Sequence, residues 1–353
     1  MPRFVTSTVT EILRERPGLQ RVATGEGRAY VLTDLVGTVA VGDRVVLNMT
    51  AVGLGLGTGG WHVVHWNLAR ESWSQPGPGH IMKLRYTSLQ ADTGAAEEDH
   101  PDVPVALDGL PVVACSLHSQ VAVVAALLRH LRPAATIAYV MTDGAALPLA
   151  LSDLVVRLQE AKVLDTTITA GHAFGGDLEA VSVPSALALA RHVAGADVAV
   201  VGMGPGVVGT GSALGTTSVE VAAVLDAADA LGGRAGLCVR ASAADGRERH
   251  RGVSHHVGTA LRLVRSAPAV PVPASLADDA VLADDGEPAG GGHDGTGDRP
   301  RPTVTVVDVP DVPAVLDGMG LRVTSMGRGP EDDPLFYEAA GAAAVWAAGL
   351  MAR

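Results

Sequence analysis

The sequence predicts an α/β fold: a mostly parallel sheet with helices on both faces, preceded by a small N-terminal β-barrel-like domain. Three observations carry this prediction. From Pro111 onward, apolar runs of strand length alternate with amphipathic helical stretches. Before Leu68 the runs are short, rich in Val and Thr, and separated by turn residues. Hydrophobic residues make up 47% of the chain but aromatics only 3%. The core must therefore be built from Val, Leu and Ala, which suits closely packed helix-on-sheet layers.

Residues 1–68 form the β-rich domain. Its runs, such as "RFVTSTVTEIL", "AYVLTD" and "DRVVLNMTAV", are punctuated by Pro17-Gly18, Gly25-Glu26-Gly27 and Gly42-Asp43. The stretch Gly53 to Gly60 has too many glycines for a helix and reads as a loop or a glycine-rich strand. Residues 69–110 read as a connecting segment with one ordered motif, "GHIMKLRYTSLQ", at 79–90. Residues 111–353 form the α/β domain. Its expected strands are Val112 to Ser116, Thr136 to Met141, Thr166 to Ala170, Asp197 to Met203, Ala235 to Ala241, Thr303 to Val309 and Leu321 to Ser325. Repeated strand–helix–strand order implies right-handed crossovers. A Gly-, Asp- and Pro-rich stretch at about 274–302 has little to bury and reads as a disordered insertion.

The formal net charge of -12 disfavours nonspecific binding to nucleic acid or to an anionic membrane. Nucleic acid is an unlikely partner on that ground; oligomerisation stays open. Cys115 and Cys238 sit in apolar runs without a CxxC pair, as buried thiols of a reducing compartment do. No signal peptide is evident, so a cytoplasmic location is expected. The apolar run from Leu335 to Ala352 is mostly Ala and Gly and is expected to be a helix packed on the sheet, not a membrane span.

Polar residues follow each expected strand: Ser116 to Ser119, Thr142-Asp143-Gly144, Gly171-His172 with Asp177 and Glu179, "GMGPGVVGTG", and Asp245 to His256. A parallel sheet gathers such segments along one edge, where ligands of open α/β sheets bind. Gly204, Gly206 and Gly209 match G-x-G-x-x-G, and the run continues through Thr210 and Gly211. Glycines there let backbone N–H groups approach a phosphate. No carboxylate stands where a dinucleotide ribose would need one, so nicotinamide or flavin binding is not expected. The candidate catalytic groups are Asp143, Asp177, Glu179 and His172, as acids or bases. The candidate ligand contacts are His118, the glycine loop, Arg249, His250, Ser254 and His255. No cofactor can be named. A divalent metal would fall to His172, Asp177 and His255, although no metal motif such as HExxH is present. Adjacent His255 and His256 on a helix point about 100° apart, so one of the two is expected to face the site.

The segments "GHIMKLRYTSLQ", "LHSQ", "YVMTDGAALP", "TITAGHAFGGDLEAV", "MGPGVVGTG" and "RHRGVSHH" resemble, in that order, a bacterial family, domain of unknown function 3866. The resemblance runs from the N-terminal strands to about Leu263, and its extension to the C-terminus is expected. Ser88 stands where the family usually carries proline, and the insertion near Gly290 is untypical. The resemblance implies one folded unit and no particular reaction. Two readings follow. One is an enzyme acting on a small phosphorylated or otherwise anionic metabolite. The other is a non-catalytic ligand-sensing or regulatory protein.

Overall fold

The alternating strands at the N-terminus close on themselves. The computed structural model describes residues 1–145, 147–283 and 301–351, and the chain divides into two compact units, Met1–Gly94 and Ala95–Arg353. In the first, β1 (Phe4–Arg16), β2 (Leu19–Thr24), β3 (Gly27–Leu32), β4 (Arg44–Asn48) and β5 (His62–Asn67) form a closed barrel of order β1-β2-β3-β5-β4. Short helices α1 (Thr33–Val36) and α2 (Thr50–Gly53) flank β4. Inward residues Val9, Val22, Val31, Val45 and Leu47 are buried and fill the barrel. On its outside Tyr30 stacks on Trp61 at 4.9 Å, and the Arg28 guanidinium lies 4.6 Å from the Trp61 ring. The Gly53 to Gly60 stretch is a loop beyond the short α2, with Gly55, Gly59 and Gly60 at positive φ.

The "GHIMKLRYTSLQ" segment is ordered, but not as a long strand. Only β6 (Met82–Lys83) pairs, with β7 (Ala91–Asp92). Between them Leu84 and Tyr86 hold positive φ angles of 51° and 64°, a turn conformation costly for residues with a Cβ.

In the second unit α3 (Ala96–Asp99) precedes an eight-stranded parallel sheet. Its strands in chain order are β8 (Pro111–Cys115), β9 (Ile137–Thr142), β10 (Thr166–Ala170), β11 (Leu178–Ala180), β12 (Val198–Met203), β13 (Arg234–Cys238), β16 (Ala269–Val272) and β17 (Thr303–Val306). In space the order is β11-β10-β9-β12-β8-β13-β16-β17. A separate antiparallel ladder joins β14 (Ala241–Ser242) to β15 (Gly252–Val253). The helices are α4 (His118–Leu131), α5 (Asp153–Glu160), α6 (Val183–His192), α7 (Val221–Ala230), α8 (His255–Leu263), α9 (Ala280–Ala283), α10 (Val312–Gly318) and α11 (Pro334–Leu350). Side chains of α4, α5, α10 and α11 share one core with Tyr139 and Val200. Those of α6, α7 and α8 share the opposite core with Val140 and Val201. Successive strand residues point to opposite faces, so β9 and β12, buried throughout, serve both layers.

The chain starts this sheet in its middle. From β8 it runs outward through β9, β10 and β11, then returns to lay β12 between β8 and β9 and continues the other way. Helices α4 and α7, which follow β8 and β12, therefore cover opposite faces. The ends of β8 and β12 flank a topological switch point, where α/β sheets bind ligands.

Three expectations need correction. Leu321 to Ser325 is not a strand of the sheet. Leu321, Val323 and Ser325 are buried in alternation, but among the described residues the only pairing there is a bridge between Ser325 and Arg328. The alternation arises because the segment leans on the helical core instead of on a strand. Two sheet strands, β11 and β16, went unpredicted: one has only three residues, and the other carries Pro271, which argues against a strand. The first part of the 274–302 stretch is ordered, with Leu276 buried and α9 formed; residues 284–300 lie outside the described residues.

Candidate functional site

The C-terminal edge of the sheet carries two polar groupings in the second unit. The first lies beyond β9 and β10. The Thr142 hydroxyl donates to Glu220 Oε1 at 2.7 Å, and Asp143 Oδ2 accepts from the His172 backbone N–H at 3.0 Å. Burial raises the Glu220 carboxyl above its ordinary range; the Thr142 hydrogen bond opposes this and the Asp143 charge adds to it. A carboxyl whose proton affinity is raised by burial beside a second carboxylate is the usual material of acid–base chemistry. Glu220 was not among the predicted residues. It lies in the single helical turn before α7, where sequence alone reads it as a surface residue of a helix start.

The second grouping is cationic. The segment after β13 folds through the β14–β15 ladder and carries Arg240, Asp245, Arg247, Arg249 and His250 into one place. Asp245 is buried and takes a bidentate pair from Arg247, Nε and Nη2 each at 2.9 Å. Arg240 and Arg328 reach the same carboxylate at 3.9 and 3.6 Å. The hydrogen bonds from Arg247, against the opposing effect of burial, hold the Asp245 carboxyl well below the usual range. Asp333 is buried beside them, accepting from the Ser242 hydroxyl at 2.6 Å, the Ala243 N–H at 2.9 Å and Arg328 Nε at 3.2 Å. Arg249 makes no ion pair among the described residues; its guanidinium lies beside Gly211. Burial and the neighbouring arginines lower Arg240 to about 10.

A pocket of about 170 Å³ opens here. Arg240, Arg247 and Arg249 line it with His250, His256 and the glycine loop at Val207 to Gly209 and Gly211. Arg328 and Asp333 join its surroundings from a C-terminal segment more than sixty residues further along; no local pattern connects them to it. A larger pocket, about 540 Å³, lies at the opposite edge of the sheet, lined by Asp108 to Pro111, Arg132 to Ala135 and Asp197. Its charged lining residues include Asp108, Arg132, Arg191 and Asp197, and three of them bond to backbone: Asp197 accepts the Thr136 N–H at 2.8 Å, Arg132 donates to Leu131 O at 3.1 Å and Arg191 to Ala196 O at 3.4 Å.

The glycine loop is not the open phosphate cradle expected. It makes a small hairpin: the Thr210 N–H binds Gly215 O and the Thr217 N–H binds Val208 O. The N–H groups of Val208, Ser212 and Gly215 go to hydroxyls within the loop. Gly206 and Gly211, at φ of 120° and 87°, supply turns that residues with a Cβ resist. Gly204 brings the chain within contact of Met141. Thr210 binds Ser212 and Gly215. The loop thus forms a wall of the pocket.

His250, His255 and His256 come together. One ring nitrogen from each lies within 4.8 Å of the others. Both members of the His255-His256 pair join, against the expectation of one. They occupy the first turn of α8, and His250 arrives from the preceding turn to lie 5.0 Å from each ring. Ser254 organises this: its Oγ caps the His256 N–H and lies 2.7 Å from His250 Nδ1. Ser254 itself is fully buried. Burial, then the surrounding arginines, lower His250 to about 3. Burial, then His255 and the arginines, lower His256 to about 4. Burial, then Arg249 and the other nearby arginines, lower His255. All three shifts favour the neutral imidazole.

The remaining predicted residues are placed elsewhere. His172 and Asp177 do not join His255 in a metal-ligand group among the described residues. Asp177 accepts from the Thr167 N–H and hydroxyl, both at 2.8 Å, near the start of β10. Glu179 accepts from the Thr169 hydroxyl at 2.8 Å and the Gly175 N–H. Both carboxylates hold the β10–β11 connection. The sequence suggested an edge position because the connection follows a strand end, but this short one doubles back along β10. His118 bridges three elements: Nδ1 meets Met203 O at 3.2 Å, and Nε2 meets Ser152 Oγ at 2.7 Å. Its ring is thereby consumed inside the fold.

Fold and site define a parallel α/β protein with a cationic pocket and a histidine cluster at the carboxyl edge of its sheet. A family model described as protein of unknown function (DUF3866) matches residues 28–344, and the chain belongs to that family. No curated protein and no solved structure matches it.

Proposed function

We propose that this protein is an enzyme acting on a small phosphorylated or otherwise anionic metabolite, bound in the arginine-lined pocket. The observation that carries the reading is a charge surplus. Four guanidinium groups, Arg240, Arg247, Arg249 and Arg328, surround the site with two carboxylates, Asp245 and Asp333, and burial and the arginines disfavour charge on the three histidines. Arginines bind phosphate and carboxylate through charge-assisted, often bidentate hydrogen bonds, and Arg240 does so from a buried position. The volume of about 170 Å³ is below the roughly 300 Å³ of a drug-sized pocket and suits a phosphate-sized head group. Asp143 and Glu220 supply a carboxylate pair for proton transfer at the same edge. The buried free thiols Cys115 and Cys238 agree with a cytoplasmic location. Among the described residues no helix is long and apolar enough to cross a membrane. The Tyr30–Trp61 stack, overlaid by Arg28 and Arg21, offers bases little free ring face, which supports a role without nucleic acid.

Calorimetric titration of inorganic phosphate tests this. Arg249→Ala and Arg247→Ala should each weaken binding about tenfold or more, the scale of one charge-assisted contact of ~1.5–3 kcal/mol. An unchanged Kd in both variants sinks the reading. Turnover of a phosphorylated metabolite that disappears in Glu220→Gln distinguishes an enzyme from a sensor; binding without turnover favours the sensor.

A further inference from the structure

We propose that His250, His255 and His256 form a three-histidine site for a zinc-type divalent ion, one whose occupancy is coupled to anion binding in the adjoining pocket. The first observation is convergence: three imidazoles from two turns present ring nitrogens within 4.8 Å of one another. Nitrogens about 2.0–2.1 Å from a common ion lie somewhat closer together than this limit, so small side-chain rotations complete the site. The second is an orphan. His255 Nε2 is buried and has no hydrogen-bond partner, and an unsatisfied buried polar atom is costly unless something binds it. The third is support behind the ligands. Ser254 Oγ meets His250 Nδ1 at 2.7 Å, the outer hydrogen bond that fixes a metal-binding imidazole. Three protein ligands leave a zinc-type ion with an open position. His250 and His256 line the arginine pocket, so an anion there is placed to take it.

The coupling rests on the reading of the pocket as an anion site. Arg240 Nη1 lies 3.5 Å from His256 Nδ1, and Arg247 and Arg249 are close by. Their positive field opposes a bare dication. An anion offsets that field and can bridge ion and arginines. Each ligand must then tighten the other by the same factor, since linkage is reciprocal.

Cobalt(II) serves as the probe, because it takes zinc sites and its absorption reports coordination. The full chain, stripped with chelator, is titrated with cobalt with and without inorganic phosphate, and with phosphate with and without cobalt. One equivalent of cobalt is expected, with tetrahedral-type absorption, bound at least tenfold tighter at saturating phosphate, and matched by the reciprocal gain. His255→Ala should abolish the signal, and His130→Ala, on the exposed end of α4, should retain it. If His255→Ala does not fold, His255→Gln keeps the helix position without the imidazole. Phosphate binding with no cobalt binding overturns the metal site and leaves the anion pocket standing. Cobalt binding unaffected by phosphate overturns the coupling. Failure of both probes removes both.

Discussion

At the scale of single residues, the fold spends several polar side chains on internal bonds that the sequence offers as ligand contacts. His118 is the clearest. Burial pushes it down to about 4, against the opposing hydrogen bond to Met203 O. An unfolded histidine titrates at about 6.5. Between these values the unfolded chain binds the extra proton. Stability from His118 is therefore full above pH 6.5 and falls as the pH drops toward 4, by roughly 3 kcal/mol. His250 and His256 act in the same direction. Denaturant unfolding followed from pH 7 to pH 4 should show this loss, with a shallower slope in His118→Gln; an identical acid limb in the variant contradicts the assignment. Residue types in the loops were legible, because His, Asp and Gly recur beyond turn needs. Their roles were not, because a buried hydrogen-bond partner such as Ser152 or Met203 O comes from a distant segment. Gln120 shows the same: from the start of α4 it accepts from the Leu117 N–H and Ser116 hydroxyl and donates to Val239 O. The "LHSQ" segment is in this sense a structural clasp.

At the scale of elements, the β10–β11 connection is unusual. Parallel neighbours are normally joined by a dozen residues or more; here residues 171–177 suffice. Gly176 permits it, since a Cβ there would stand 2.9 Å from Thr169 N and 3.0 Å from Leu178 O. Asp177 closes it through Thr167. Asp177→Ala should cost about 1–3 kcal/mol by leaving buried donors unsatisfied, read as a lower Tm, with phosphate affinity unchanged. Loss of phosphate binding in a folded Asp177→Ala protein would return this residue to the site. Long periodic elements were legible from sequence: five of the seven expected strands overlap β8, β9, β10, β12 and β13, and another overlaps β17. A three-residue strand such as β11 has too few residues for a period. The buried alternation of Leu321 to Ser325 imitates one.

At the scale of the molecule, composition and architecture explain each other. The scarcity of aromatics is met by α11, whose buried face is mostly alanine and which packs against the sheet and α4. Its Trp346 ring lies over Gly236 of β13, where a Cβ would come within 2.2 Å of the ring. Gly236→Ala should cost about 1–3 kcal/mol through overpacking, and clearly less in a Trp346→Leu background. Strict additivity of the two changes in a double-mutant cycle would show that the contact is immaterial. The two-part architecture was legible because the apolar period changes near Pro111. The pocket was legible only in outline, since Arg328 and Asp333 reach it through a fold that no local spacing reveals.

The strand order also sets a timetable for synthesis. The ribosome releases β8 and β9 early, yet they are not neighbours. Their shared slot stays vacant until β12 follows, after residues 143–197 have been made. Through that interval two strands that are fully buried in the finished fold lack the partner between them, and unpaired strand edges invite association with other chains. The emerging polypeptide must hold that slot open for its own later segment.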